Sequence, residues 1–381
     1  MALRLGSRTR TARIIIVGAG PAGAACALEL RRRGVGEVVL VDRSTYPRRK
    51  VCGSGLSPVA LHQLEQLDML DRIRPDHTPI RKLCAIGPVG TRVNLSGAKG
   101  AWVVPRAEFD NALVQEAVKR GAELVEGTRV QGLLQGPDGH TRGVRTRDSE
   151  LEADLVVVAN GSPSNFEVDP HPRKGVRTIM GWWESRLSDR DADMIWDRRL
   201  GGYYAWAFPE PGDVINIGLT IAEEHPRSTK LRELFGELLD EYFPDVVADG
   251  KQLGRWAGHP ATVTTRVGKI ITPRTIYVGE AARLVCPATV EGISYAMMSG
   301  RKAADVIARR FDPEQGFSAF DQYRYRAKVA AKMLPMFAAG EAFYRIMRHP
   351  RAVGTVASMV DAQRLANRLS YLVGERGQQA A

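Results

Sequence analysis

The first ordered apolar run of the chain is Arg13 to Val17 (RIIIV), closed at once by glycines at Gly18 and Gly20. Such a run is too short for a helix and predicts a strand buried on both faces. Pro21 to about Arg33 is rich in small residues at helical spacing, with Gly34 placed to cap the helix. Glu37 to Asp42 (EVVLVD) predicts a second buried strand, which makes the start of the chain a β-α-β unit. Further on, Arg106 to Lys119 sets Phe109, Leu113 and Val118 on one helical face, and Leu151 to Ala159 predicts another apolar strand. From about Pro163 to Gly268 the pattern changes to short, aromatic-rich, alternating segments, which predict antiparallel strands around one helix near Leu231 to Tyr242. Thr275 to Ala282 then returns to the buried-strand pattern, Gly292 to about Arg310 predicts a helix, and a helical tail follows.

The fold class expected is therefore α/β, or α+β overall: a Rossmann-type domain, an antiparallel-sheet domain and a helical C-terminal tail. Residues 1–75, 96–162 and 269–310 form the first domain, discontinuous in sequence. Residues 76–95 and 163–268 form the second, and 311–381 the helical region.

Gly18-Ala19-Gly20-Pro21-Ala22-Gly23 is a G-x-G-x-x-G between the first strand and the first helix. There the first glycine allows a tight turn and the second lets backbone approach a pyrophosphate. The third lets helix and strand pack closely, and the helix N-terminus favours the negative charge. Asp42 ends the second strand where a carboxylate accepts from ribose hydroxyls. These features establish a dinucleotide site and leave open whether it takes NAD or FAD.

Charge changes this picture more than composition does. Across 381 residues, 44% hydrophobic and 25% charged types are ordinary for a globular chain of two lobes. A formal net charge of +11 and a pI near 9.7 point to anionic partners. No nucleic-acid-binding pattern is present, so lipid headgroups or phosphorylated molecules are the expected partners and nucleic acid is not. Cys26, Cys52, Cys84 and Cys286 lie far apart and fit a reducing cytoplasm. The histidines show no metal-ligand spacing, so no metal is expected. No apolar run nears the ~18 residues of a membrane span, and Met1 to Arg13 has no signal-peptide core. The expected location is cytoplasmic, peripheral to the inner face of the membrane.

Cys52-Gly53-Ser54-Gly55-Leu56 after the basic run YPRRKV, Arg106 with Phe109, Gly279-Glu280-Ala281-Ala282 before CPATVEGISYAMMSG, and Tyr204-Ala-Trp206-Ala-Phe208-Pro209 occur in this order. In order and spacing the chain resembles the geranylgeranyl reductase family, FAD enzymes with the topology of p-hydroxybenzoate hydroxylase that saturate isoprenoid double bonds. The resemblance implies FAD contacts along Gly18, Gly20, Ala22, Gly23, Asp42 and Arg43, then at Cys52, Gly53 and Gly55. It places Arg106 at the phosphate or ribitol, the Val130 backbone at adenine, and Gly279, Glu280, Gly292 and Ile293 near ribitol and isoalloxazine. The chain departs from the family in having Glu280 for Asp, Arg283 and Val290 for glycines, and Thr220 where a second glycine follows the aromatic element. Asn160-Gly161 stands where hydroxylases carry Asp-Gly.

Saturating an unpolarised alkene needs a hydride and a proton. Thiols are largely protonated at neutral pH, so Cys52 is the candidate catalytic residue, as proton donor or relay, with backbone contact and packing as its structural alternative. Tyr204, Trp206 and Phe208 alternate, share one strand face and form a candidate substrate wall. The expected function is FAD-dependent reduction of C=C bonds in a prenyl chain, with NAD(P)H or an electron-carrier protein as reductant. The alternatives are an FAD monooxygenase of a secondary metabolite and a non-catalytic flavoprotein that binds a hydrophobic ligand. The tail from Ala327 to Val360 mixes apolar and basic residues and reads either as a helix packed on its own domain or as a surface meeting lipid headgroups.

Overall fold

The computed structural model describes residues 12–166, 171, 174–185 and 191–349. Its first layer is a six-stranded sheet in the spatial order Ile271–Thr272, Thr275–Tyr277, Leu155–Val158, Arg13–Val17, Glu37–Val41 and Glu123–Val125. The pairs made by Arg13–Val17 are parallel, with Ile14 opposite Leu155 on one side and Val38 on the other. Isoleucines 14 to 16 are wholly buried, as a central parallel strand with both faces covered requires. The α/β class read from the sequence is the one observed.

Two of the expected strands are shorter than the apolar runs that predicted them. Leu151 to Ala159 divides: Glu150–Glu152 joins a separate three-stranded sheet with Gly132–Gln135 and Thr141–Arg145, and only Leu155–Val158 enters the parallel sheet. The break falls at Asp154, whose carboxylate accepts from the backbone N–H of Arg13 at 2.8 Å. Thr275 to Ala282 is a strand only to Tyr277 and then tightens into a 3₁₀ turn over Gly279–Ala282.

Helix Pro21–Arg32 lies against helix Ile293–Arg310 over a face of small residues. A Cβ at Gly300 would come within 2.2 Å of the Ala22 carbonyl oxygen, so the two backbones approach too closely for any side chain there. The many alanines of the first helix allow this approach.

The second layer is a nine-stranded sheet. Its path runs Lys251–Gln252, Lys174–Glu184, Val214–Ala222, Ala205–Glu210, Ala192–Ile195, Thr78–Ile86, Arg92–Val103 and Gly55–Leu56, with Ala257–Val263 also paired to Lys174–Glu184. It is antiparallel except where Ala192–Ile195 meets Thr78–Ile86. Arg92–Val103 runs on past residue 95 because it stays paired with Thr78–Ile86 through Thr78 and Val103. Helix Leu231–Tyr242 covers this sheet with Leu234, Phe235, Leu238 and Leu239. The long helix Ala319–Met347 packs through Tyr325, Val329, Met333, Phe337 and Tyr344. The remainder of the expected tail and residues 1–11 lie outside the described residues. Among the described residues no helix is long and apolar enough to cross a membrane, and no side-chain group could hold a metal.

Candidate active site

A cavity opens where the carboxyl ends of the parallel strands face the second sheet, the position that open α/β sheets use for ligands. Its walls surround about 1870 Å³ of space, the solvent at its open mouth included. The glycine loop forms one end, and each glycine has a separate reason. Gly18 has φ +100°, and a Cβ there would sit 2.6 Å from the Ala159 carbonyl oxygen. At Gly23 a Cβ would meet the Gly18 oxygen at 1.9 Å. A Cβ at Gly20 meets only the Arg48 guanidinium, at 3.5 Å, and otherwise faces open cavity. The first and third glycines thus close the fold, whereas the second leaves a groove at the helix N-terminus. That groove and the arginine over it suit a pyrophosphate.

Asp42 locks this loop to the second strand. It accepts from the Ala19 backbone N–H at 2.8 Å, from the Ser44 N–H at 2.9 Å and from the Tyr46 hydroxyl at 3.2 Å. Arg43, Arg129 and the buried Val130 extend the same end of the cavity. Sequence reasoning missed Arg48 and Asp110. Arg106 is buried and grips Asp110 with two hydrogen bonds, at 2.8 and 2.7 Å, and Arg48 reaches the same carboxylate at 3.0 Å. Asp110 is thus a shared anchor holding two guanidinium groups in the wall. The signal was present, as the basic run YPRRK and as an i, i+4 Arg–Asp spacing on the predicted helix.

At the inner end, the Cys-Gly-Ser-Gly loop lies on the aromatic strand. A Cβ at Gly53 would stand 3.1 Å from the Trp206 indole nitrogen, and one at Gly55 would stand 3.1 Å from the Phe208 ring. The two selective sequence elements are therefore complementary halves of one contact. Asn216, fully buried and unremarked in the sequence, joins them. Its amide donates to the Cys52 carbonyl at 3.0 Å and to the Glu210 carboxylate at 2.9 Å, while the Trp206 N–H donates to its oxygen at 2.9 Å. The Cys52 sulfur accepts from the Ser54 N–H at 3.4 Å and faces the Arg106 guanidinium.

Lys50 and His259 were also missed. Lys50 Nζ lies 2.7 Å from His259 Nε2. Burial, and next the Arg106 charge, lower Lys50 to about 8. Burial, and next Lys50, lower His259 to about 4, so the imidazole is neutral and accepts the lysine proton. Glu280 stands opposite, raised by burial, and accepts from the Thr262 N–H at 3.2 Å.

Of the residues singled out in the sequence, Gly18, Gly20, Ala22, Asp42, Arg43, Cys52, Gly53, Arg106 and Val130 line the cavity. So do Tyr204, Trp206, Phe208, Glu280, Gly292 and Ile293, with Thr178 and Met180 between them. Gly23, Gly55 and Gly279 stand behind the wall. A Cβ at Gly279, where φ is +60°, would meet the Ala22 side chain at 2.9 Å. Arg283 and Val290 keep the glycine-like backbone, with φ +58° and +52°. The other departures sit at the wall as well: Thr220 donates to the Tyr204 carbonyl and Asn160 accepts from Ser164.

Comparison with known proteins agrees with this cradle. The family described as FAD binding domain matches residues 11–338. A digeranylgeranylglycerophospholipid reductase of Methanosphaerula palustris is 28% identical, over 84% of this chain and 83% of its own. A menaquinone reductase of Mycolicibacterium smegmatis is 29% identical over 77% and 76%. Among solved structures, a geranylgeranyl bacteriochlorophyll reductase-like protein from Thermoplasma acidophilum superposes with a TM-score of 0.79 at 20% identity. It covers 96% of this chain and 92% of its own, and it establishes the shared fold. With the glycine groove, the Arg48 side chain over it and the acid at Asp42, the chain belongs to the FAD binding domain family as an FAD-dependent oxidoreductase.

Proposed function

We propose that the protein reduces C=C bonds in a prenyl chain carried by a lipid, a quinone or a related terpenoid. The observation that carries this reading is the packing of Gly53 and Gly55 on Trp206 and Phe208, which sets the cysteine loop against an apolar wall of the cavity that Cys52 also lines. FAD, when bound, supplies the hydride. Gly18, Gly20, Ala22, Asp42 and Arg48 would hold its pyrophosphate and adenosine half, and Glu280, Gly292 and Ile293 its flavin half. Tyr204, Trp206, Phe208 and Met180 bind the apolar chain and exclude water from it. Cys52 Sγ holds the proton for the second carbon. The Arg106 and Lys50 charges beside it stabilise the thiolate left when that proton departs. Lys50, with its lowered proton affinity and its ammonium held by the neutral His259 imidazole, then returns a proton to the sulfur and recovers one from solvent. Electrons reach the protein from NAD(P)H or an electron-carrier protein. The names of the relatives, one a reductase of a digeranylgeranyl lipid and one of menaquinone, support this substrate class.

The test is single-turnover reoxidation of pre-reduced protein by a prenyl lipid without oxygen. Cys52→Ser should retain FAD and slow this step by about 10²–10⁴-fold, the usual worth of a general acid. Wild-type rates in Cys52→Ser would remove the thiol from the mechanism. Stoichiometric oxygen consumption with product would replace the reductase by a monooxygenase.

A further inference from the structure

Helix Ala319–Met347 uses one stripe to pack and leaves the opposite face bare. Phe320, Arg324, Lys328, Ala331, Leu334, Ala338, Ala342 and Arg345 recur at three- or four-residue spacing, share that face and are all exposed. Phe320 is 66% exposed and its neighbour Tyr323 72%, values that solvent alone does not favour for large rings at adjacent sites. The charges on the helix have one dominant sign. Its acids are engaged locally, Asp321 by Ser318 and Glu341 by Lys174 and Arg345. Arg324, Lys328 and Lys332 have no carboxylate partner among the described residues. Lys328 and Lys332 also crowd Lys302 on the neighbouring helix. Burial first, and then these two ammonium groups, hold Lys302 below the usual lysine range. Such like-charge crowding is relieved by an external anion.

The far end of the helix continues into the cavity wall. Phe343 meets Trp196 edge-on at 5.6 Å between ring centres, Trp196 meets Tyr204 at 5.6 Å, and Tyr204 meets Trp206 at 6.1 Å.

We propose that the exposed face of helix Ala319–Met347 is a docking surface for an anionic lipid membrane, with Phe320 and Tyr323 entering the headgroup layer and Arg324, Lys328 and Lys332 meeting its phosphates. Exposed rings among unpaired cations fit this interface better than a soluble acidic partner, which would not need the rings. The surface does not depend on the prenyl reductase reading, and vesicle binding tests it without any turnover.

The experiment is flotation of the FAD-loaded protein with vesicles of phosphatidylcholine alone, and of phosphatidylcholine mixed with phosphatidylglycerol. Wild type should float only with the mixed vesicles. Each cation at the surface is worth roughly a fivefold change in partition, so Lys328→Glu with Lys332→Glu should weaken binding more than tenfold. Lys230→Glu with Arg232→Glu makes the same change in net charge at the start of helix Leu231–Tyr242 and should cost less than about threefold. Phe320→Ser with Tyr323→Ser leaves charge untouched and should also cost about tenfold. Equal losses from the two charge pairs, an unaffected double serine variant, or no flotation of wild type with anionic vesicles would each overturn the proposal. The last result would leave the face to an acidic protein.

Discussion

The two sides of the cavity are built from different materials. On the parallel-sheet side the cradle is largely backbone: a glycine turn, a helix N-terminus and a carboxylate that ties the loop to its neighbouring strand. On the antiparallel side the wall is made of side chains, namely Trp206, Phe208, Tyr204 and Asn216 behind them. A backbone cradle suits a ligand whose shape does not vary, because any chain with the right turn offers the same N–H groups. A side-chain wall can be altered residue by residue, so related proteins sharing the cradle can differ in what they take on the other side. Cys52 sits on the seam, anchored by its carbonyl to one half and facing the guanidinium of Arg106 in the other.

The largest expected effect tests the backbone side. Gly20→Val should give a folded but colourless protein, because the new side chain enters the groove and meets nothing else. Gly23→Val should lose both colour and fold, since its Cβ would overlap the Gly18 oxygen. FAD released per mole and circular dichroism separate the two. If Gly20→Val remains yellow, the groove is not where the pyrophosphate lies.

On the side-chain half, Asn216→Ala strands the Trp206 N–H and takes one donor each from the Cys52 carbonyl, which keeps Ser54, and the Glu210 carboxyl, which keeps Trp182. At about 1–3 kcal/mol per buried polar group left without a partner, and with some relaxation, a loss near 3 kcal/mol is expected in denaturant unfolding. Retained FAD affinity alongside that loss would show how independent the halves are. A loss under about 1 kcal/mol would mean that water replaces the amide.

The seam itself responds to pH. His259 stays neutral in the fold down to about 4, whereas an unfolded histidine binds a proton below about 6.5. The unfolded state therefore holds more protons between those values, and stability rises as pH increases from about 4 to about 6.5. His259→Gln should flatten that part of the profile by about 2 kcal/mol in FAD-free protein. The same sign applies to Lys50 between about 8 and the ordinary lysine value of 10.5, where Lys50→Met removes a further rise. A profile identical to wild type in both variants would place these groups in water.

The smallest effect concerns Val290, a β-branched residue held at φ +52°. Val290→Gly relieves about 1–2 kcal/mol of left-handed strain and adds unfolded-chain freedom, for a net gain of about 0.5–1 kcal/mol. Destabilisation instead would mean that Val290 packing near Val285 and Tyr203 outweighs the backbone strain.

These predictions divide along the same line as legibility. Helices Arg106–Lys119 and Leu231–Tyr242 appear at the bounds their apolar period implies, because the period and the helix are one local geometry. Leu151 to Ala159 did not hold as one strand, because the Asp154 bond to Arg13 comes from a residue 141 positions away. The family elements at Cys52 and Tyr204 were legible as separate patterns. That Gly53 and Gly55 are small because Trp206 and Phe208 lie on them was not, since no spacing along the chain encodes a contact between a loop and a distant strand.

What the sequence determined by itself was everything set within a few turns of chain. That includes the strand-glycine-helix unit, the acid closing it, the amphipathic helices and the excess of positive charge. Only the tertiary structure decided that Asp110 would hold two arginines, that Asn216 would tie the cysteine loop to the aromatic strand, and that Lys50 would face His259. Each of these depends on polar groups far apart in sequence sharing a buried space. There an unpaired donor or charge is costly, and the partner is chosen by packing rather than by neighbourhood along the chain.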